Sequence, residues 1–365
     1  MKQLNDSFKK NTTIVNPDVN RKIKVLIVDD SLVSQKLYQG LLKNDDRFEM
    51  VGVAVNGQQA IEYVVSYQPD VVSMDINMPL MDGVEATRNI MQINPVPVLI
   101  VSSLYQTSEV EMAMKVLEVG AVNIIPKPHG PGHPRFEQEA RQYLNMLKSM
   151  SEVKVVRRRD NISKAIPQQV RALTNLRLSD FRILVIGASA GGPEGVKTIL
   201  TGLRQDFPLP ILIVQHIHPH FAEGFGHWLQ TTSNIPVQLA KTNQQILSGN
   251  AYLAPGDHHM VLTSEGISTL TNEEPVGGHR PAVAQLFKSA ANIYRNKVIA
   301  ILLSGMGTDG AKELKILKDH GAFTMVQNEQ SCLVFGMPGE AVRLGAASKA
   351  LSPQEIVHEL NTMKP

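Results

Sequence analysis

Residues 182–192, RILVIGASAGG, constrain the fold more than any other stretch of the chain. Ile183, Leu184, Val185 and Ile186 follow one another with no polar break. A strand tolerates that only when both of its faces are covered. Gly187, Gly191 and Gly192 then permit a sharp turn and a close approach to the next element, and they flank one hydroxyl, Ser189. In an open sheet of parallel strands such a turn lies at the carboxyl edge, where these sheets place their chemistry. The spacing Gly187-x-Ser189-x-Gly191 is also that of a nucleophile elbow.

The same grammar is written twice. Residues 1–22 are polar and aperiodic and are expected to form a mobile tail. From residue 23 onward, apolar strands are predicted at 24–28, 50–54, 69–74, 98–101 and 121–125, with helices at 33–42 and 57–66. This α/β alternation predicts a doubly wound, five-stranded parallel sheet over 23–129. His129-Gly130-Pro131-Gly132-His133-Pro134 breaks the pattern, a helix is predicted near 135–150, and Arg157-Arg158-Arg159 stands in polar text, so 130–181 reads as a linker. A second, Rossmann-like α/β unit is expected over 182–365, with strands near 183–187, 210–215, 251–254, 260–263 and 298–303.

Composition narrows the setting. A length of 365 residues suits two or three domains, and a net charge of +2 gives no argument for nucleic acid or a membrane surface. The single cysteine, Cys332, excludes an internal disulfide and favours a reducing compartment. No apolar run approaches the ~18 residues of a membrane span. The first ten residues lack the apolar core of a signal peptide, and the reading is a soluble cytoplasmic protein.

Three strands of the first unit end in chemistry: Asp29-Asp30, Asp75 and Lys127. Parallel strands bring those ends together, and clustered carboxylates repel unless a cation joins them. Hard oxygen ligands suit Mg²⁺, beside which a carboxylate can attack phosphorus, with Lys127 and Ser102 placed to hold phosphoryl oxygens. Residues 23–129 resemble a receiver domain of a two-component response regulator. The motifs are Val28-Asp29-Asp30-Ser31, Met74-Asp75-Ile76-Asn77-Met78-Pro79-x-x-Asp82-Gly83, Val101-Ser102-Ser103 and Pro126-Lys127-Pro128. The resemblance implies that Asp75 accepts phosphate from a histidine kinase. It implies that Asp30, Asp75 and the carbonyl of Asn77 bind Mg²⁺ with Asp29 assisting, and that Ser102 is a hydroxyl switch. Ile124 stands where receivers often carry Phe or Tyr.

Serine acyl transfer needs a base for the hydroxyl proton and a carboxylate to orient the base. Two further strands supply them: one ends in Gln215-His216, the other in Ser304-Gly305-Met306-Gly307-Thr308-Asp309-Gly310. Competing uses of these residues exist. His216, His218, His220 and His227 could hold a metal, although Pro219 interrupts them. Asp309 could stabilise a turn, and Cys332 could be a nucleophile or a buried thiol. Gly187-x-x-x-Gly191-Gly192 could cradle a phosphate in a phosphorylation-gated binding module. The Arg157 run could touch DNA, but no helix-turn-helix pattern follows it.

The second unit resembles, over nearly its whole length, the catalytic domain of the chemotaxis protein-glutamate methylesterase family. The matching text is Ile186-Gly187-Ala188-Ser189, Gln215-His216, Ala254-Pro255-Gly256-Asp257-His258-His259-Met260, His279-Arg280-Pro281, Leu303-Ser304-Gly305-Met306-Gly307-x-Asp309-Gly310 and Gln327-Asn328-Glu329-x-Ser331-Cys332-x-Val334-Phe335-Gly336-Met337-Pro338. The resemblance implies Ser189 as nucleophile, His216 as general base and acid, Asp309 as orienting carboxylate, the Met306 N–H as oxyanion donor and Arg280 as a substrate contact. It implies no cofactor for the ester chemistry. The substrates would be γ-methyl glutamate esters, and glutamines, on the helical cytoplasmic region of chemoreceptors. It also implies that the receiver covers the site until it is phosphorylated. The family commonly has threonine after the nucleophile; this chain has Ala190.

Overall fold

The structure, a computed structural model, describes residues 21–103, 107–153, 155 and 176–364, with backbone alone for 107–111. The polar tail through residue 20 and Arg157-Arg158-Arg159 lie outside the described residues.

The first unit is built on β1 (Ile23–Val28), β2 (Phe48–Ala54), β3 (Val71–Met74), β4 (Val98–Ser102) and β5 (Asn123–Pro126). Their order is β2-β1-β3-β4-β5, all parallel. Helices α1 (Leu32–Lys43), α2 (Gly57–Tyr67), α3 (Gly83–Ile93) and α4 (Thr107–Glu118) alternate with the strands. The first three start where short polar side chains sit before apolar-periodic text: Ser31, Asn56 and Asp82 each accept the N–H three residues on.

One boundary differs from the sequence reading. The helix assigned to the linker, α5 (Phe136–Ser151), packs on the first sheet, with Tyr143, Leu147 and Met150 buried in one apolar cluster with Val25, Ile27 and Tyr38. The Tyr143 hydroxyl donates to Ser73 Oγ of β3 at 3.1 Å. The Gly/Pro breaker before α5 is therefore a loop inside the unit, not its end, because a parallel sheet needs its second face covered on this side too.

The second unit follows as β6 (Ile183–Ala188), α6 (Pro193–Gly202), β7 (Ile211–Gln215), α7 (Pro219–Thr232), β8 (Val237–Leu239), β9 (Gln244–Gln245), β10 (Ala251–Leu253), β11 (His259–Ser264), β12 (Ile267–Thr271), α8 (Val283–Tyr294), β13 (Val298–Leu302), α9 (Ala311–Asp319), β14 (Phe323–Gln327), α10 (Met337–Arg343), β15 (Lys349–Leu351) and α11 (Pro353–Thr362). Seven strands pair in the order β15-β14-β13-β6-β7-β10-β8, all parallel. Every residue of β6 is buried, as its unbroken apolar text requires. The predicted strand near 260–263 does not join this sheet. It is β11, which pairs antiparallel with β12, and β12 in turn with β9. No helix separates it from β10, so the chain has no crossover with which to return in parallel. The unit also starts earlier than residue 182: Leu178 and Phe181 are buried, and the Leu178 N–H donates to the carbonyl of Lys364 at 2.7 Å.

The placement of β6 decides where the site lies. From β6 the chain runs outward through β7 to the edge strand β8, comes back to insert β10 between them, and later lays β13 on the other flank of β6. That reversal makes a crevice beyond the carboxyl ends of β13, β6 and β7.

The first unit is docked over this crevice. Helix α4 lies against α6 and α7, Glu118 pairs with Lys197, and Lys197 sits 5.1 Å from the centre of the Trp228 ring. The carbonyl of Val122 accepts the N–H of Gly191, two residues past Ser189, at 3.1 Å. Ala190, Leu333 and Val334 of the second unit share an apolar cluster with Val122 and Ile125 of the first.

Candidate active site

Ser189 and His216 each follow a paired residue, because Ala188 and Gln215 are opposite one another in the β6–β7 ladder. The His216 N–H donates to the carbonyl of Ala188 at 2.9 Å. Ser189 and His216 thus leave the ends of two adjacent strands side by side. Asp309 arrives from the loop after β13, on the other flank of β6.

Asp309 and His216 are joined: His216 Nε2 lies 2.8 Å from Asp309 Oδ2, and both side chains are 7% exposed. The carboxylate also accepts the first two N–H groups of α8, from Val283 at 2.7 Å and from Ala284 at 3.0 Å. It therefore caps a helix whose own N-cap, Ala282, has no side chain to do so. Burial pushes the Asp309 carboxyl up, but the His216 bond and these two amides outweigh it and hold the group below its ordinary value. An ionised carboxylate can only accept, so Nε2 carries a proton and Nδ1 is the basic nitrogen. His216 Nδ1 is buried and has no hydrogen-bond partner, and the Ser189 hydroxyl makes no hydrogen bond among the described residues. The structure brings His216 and Asp309 together and sets Ser189 beside them, with the hydroxyl–imidazole bond itself not formed. Resting hydrolase sites often show this contact loose.

The turn holding Ser189 is fastened at several points. The Ser189 N–H donates to the Ser304 carbonyl at 3.0 Å, and Ser304 Oγ donates to the Ala190 carbonyl at 2.9 Å. Gln327 Oε1 accepts the Ser304 N–H at 2.8 Å. Gly191 has φ +71°, and a Cβ there would come within 2.5 Å of Leu333 Cβ, so the turn needs glycine on two counts. At Gly305 a Cβ would lie 2.9 Å from Ser189 Cβ, which places the peptide of Met306 against Ser189. The N–H groups of Ala190 and Met306 donate to no acceptor among the described residues.

His279, given no role from the sequence, stacks on His216 with ring centres 3.9 Å apart and planes at 9°. Burial, then the neighbouring His216, push its pKa down to about 4, so it is neutral at ordinary pH. Its only signal in the sequence was its place in His279-Arg280-Pro281. Arg280 follows His279, and its guanidinium bonds the carbonyls of Asn272 and Glu273 in its own loop at 3.4 and 3.3 Å.

The competing readings of this region weaken. Among the described residues the histidines form no three-ligand metal set. In the phosphate-cradle reading, the Gly191 and Gly192 N–H groups are already held by the Val122 and Ser189 carbonyls, and Pro193 has no N–H to offer. Cys332 is buried, and burial pushes its thiol up to about 12, which leaves an inert side chain.

In the first unit, Asp29, Asp30 and Asp75 offer carboxylate oxygens that all lie within 4.8 Å of one another. Lys127 Nζ bridges Asp29 Oδ2 and Asp75 Oδ2, at 2.8 Å each. Burial works against the Lys127 ammonium, but the two carboxylates hold its pKa above the ordinary value. Burial, joined by repulsion from Asp29, raises the Asp75 carboxyl above its ordinary value despite the opposing Lys127 ammonium. Ser102 Oγ, at the end of β4, is buried without a hydrogen-bond partner. Asn77 follows in the exposed loop after β3. Three hard oxygen donors in one pocket, repelling one another, fit Mg²⁺.

The fold and its two sites define a class: a receiver domain set over a hydrolase domain built on a parallel sheet. Residues 25–135 match the response regulator receiver domain family, and residues 184–360 match the CheB methylesterase family. A protein-glutamate methylesterase/protein-glutamine glutaminase of Geobacter metallireducens is 45% identical over 345 residues, covering 93% of this chain and 99% of that protein. One from Nitrosospira multiformis is 42% identical, covering 93% and 97%. The CheB methylesterase catalytic domain of Thermotoga maritima aligns at 35% identity over 50% of this chain and 97% of its own, with a TM-score of 0.48. The chain belongs to the protein-glutamate methylesterase/protein-glutamine glutaminase family.

Proposed function

We propose that this chain is a phosphorylation-controlled serine hydrolase that removes methyl groups from glutamate γ-methyl esters of chemoreceptors and deamidates receptor glutamines. The observation that carries this reading is the 2.8 Å bond between His216 and Asp309, one strand away from Ser189 at the switch point of the sheet. Ser189 Oγ attacks the ester carbonyl as His216 Nδ1 takes its proton. Asp309 keeps the ring's other proton on Nε2 and balances the imidazolium. The Met306 N–H holds the oxyanion, and His216 returns the proton to methoxide, which leaves as methanol. Water, deprotonated by the same Nδ1, then cleaves the acyl-serine to glutamate. On glutamine the leaving group is ammonia. Arg280, next to His279 in sequence, is assigned as a substrate contact.

Control belongs to the first unit. We assign the receiver to 23–151, a linker after it, and the hydrolase to the rest of the chain from Leu178. Asp75 is the phosphoacceptor, a histidine kinase the donor, and Ser102 and Lys127 hold the phosphoryl group. Asp29, Asp30, Asp75 and the Asn77 carbonyl would hold Mg²⁺, which neutralises phosphoryl oxygens. Phosphorylation weakens the contact that seats Val122 against Gly191 and opens the crevice. Among the described residues no helix is long and apolar enough to cross a membrane. We place the reaction at the cytoplasmic part of the receptors, where a histidine kinase would supply the phosphate, with no nucleic acid involved.

The test is methanol release from methylated receptor. Ser189→Ala should lower turnover by orders of magnitude and abolish labelling by a fluorophosphonate. Full methanol release by that variant would overturn the assignment.

A further inference from the structure

One buried side chain ties nucleophile and base together without touching either reactive atom. Gln215 ends β7, is 2% exposed, and lies between the two turns. Its Nε2 donates to the Ser189 carbonyl at 2.8 Å and to the His216 carbonyl at 3.0 Å. Both acceptors are carbonyls, so only the NH₂ end of the amide can face them, and both of its hydrogens are used. Oε1 has no partner and lies on the side of Gly192, where a Cβ would come within 2.8 Å of it.

This bond has a directional consequence. A trans peptide points its C=O and N–H in opposite directions. The Ser189 carbonyl is held inward by two donors, Gln215 Nε2 and the Gly192 N–H, each at 2.8 Å. The N–H of Ala190, on the same peptide, must then point the other way, and it has no acceptor. The Met306 peptide is arranged alike: the Gly305 carbonyl accepts from Gly336 at 3.1 Å and Met337 at 2.8 Å, leaving the Met306 N–H unused. Two peptides beside Ser189 each have a doubly anchored carbonyl and a free N–H. We propose that Gln215 is a positioning residue that orients the Ser189–Ala190 peptide so that the Ala190 N–H is a second oxyanion donor beside Met306. This rests on Ser189 being the nucleophile. It also accounts for how the site works without a hydroxyl at 190, since the backbone supplies the donor.

Loss of one oxyanion donor costs roughly 10²–10³ in turnover. Gly192 still holds the Ser189 carbonyl when Gln215 is replaced, so the expected loss is smaller, about 10- to 100-fold. The full chain, with phosphodonor, is assayed for methanol release as Gln215→Met, Gln215→Glu and Ser189→Ala. Both Gln215 variants should lose kcat by that factor with KM within about twofold, and their fluorophosphonate labelling rates should fall in parallel. A kcat within about twofold of the parent, or a loss carried by KM alone, overturns the proposal. Should neither variant fold, the unaltered chain decides: the Ala190 amide resonance must move downfield when Ser189 is phosphonylated, and a stationary resonance overturns it. Undiminished activity in Ser189→Ala would instead remove the nucleophile assignment on which the proposal stands.

Discussion

Asp309 offers the sharpest perturbation, because one carboxylate does two separable jobs. Its Oδ2 accepts from His216 Nε2 and Val283, and its Oδ1 from Ala284. In Asp309→Asn the amide has one acceptor oxygen and one NH₂, so three incoming N–H groups cannot all be met. The better choice puts oxygen at the Oδ2 position. That keeps the His216 tautomer and one cap bond, and sets NH₂ against the Ala284 N–H. What is lost is the negative charge beside the imidazolium. At about 4 Å between charge centres and an effective dielectric near 20, the attraction is about 4 kcal/mol, or about 10³ in rate. Asp309→Ala loses the same charge and also both cap bonds, so it should cost a further ~1–2 kcal/mol of stability. The assay is methanol release under single-turnover conditions beside thermal melts of both variants. The pH dependence carries a sign. Because the folded carboxyl is held below its ordinary value, its stabilising effect is full above about pH 4. It is lost as pH falls through the lower folded value, and Asp309→Ala should erase that acid limb. If Asp309→Asn melts lower yet turns over within about tenfold of the parent, the carboxylate is only a helix cap and the relay fails.

Two further outcomes follow from the docked receiver. Asp75→Asn should keep basal turnover and lose all stimulation by a small phosphodonor. Its melting midpoint should rise, because burial and Asp29 disfavour the charge at 75 more than Lys127 rewards it. Lys197→Glu should raise basal turnover about two- to fivefold by setting two carboxylates against each other across the contact, and Glu118→Lys in the same chain should reverse the effect. Equal basal rates in parent and single variant would mean the contact does not hold the closed state.

Most of the residues proposed to carry chemistry were legible because they follow the end of a strand. Asp29, Asp75, Lys127, Ser189 and His216 all follow buried apolar runs, and the rule that parallel strands place their ends together did the rest. Three kinds of information were not written locally. Strands β8 and β15, of three residues each, are too short to show a period. Helix α5 was readable as a helix, but whether it covers the first sheet depends on Tyr143 finding Ser73 across 70 residues of sequence. The third is alignment of side chains within the crevice. His279, Gln215, Ser304 and Gln327 stood in plain view inside the motifs, yet stacking and peptide orientation are three-dimensional facts that spacing does not encode. Arg280 is the converse case, a residue whose neighbour in sequence, His279, reached the site while its own guanidinium turned to its loop.

Alanine at 190 shows how catalysis and inhibition share the same few atoms. Its side chain is 3% exposed and lies in one apolar cluster with Val122, Leu333 and Val334. A threonine hydroxyl in that cluster would need a partner, and burying it without one costs roughly 1–3 kcal/mol. Part of that cost would fall on the docked arrangement alone, because undocking returns the group to water. The methyl group therefore favours the closed receiver, where a hydroxyl would favour the open one. Next to it, the Gly191 N–H is held by the Val122 carbonyl, so docking fixes one side of the same turn whose other side Gln215 fixes. In the docked arrangement the crevice is covered while the peptide beside Ser189 keeps its bonds to Gln215 and Gly192. A site that is already formed under its cover needs only the cover to leave, and activation should then scale with the undocked fraction rather than with any rearrangement at the serine.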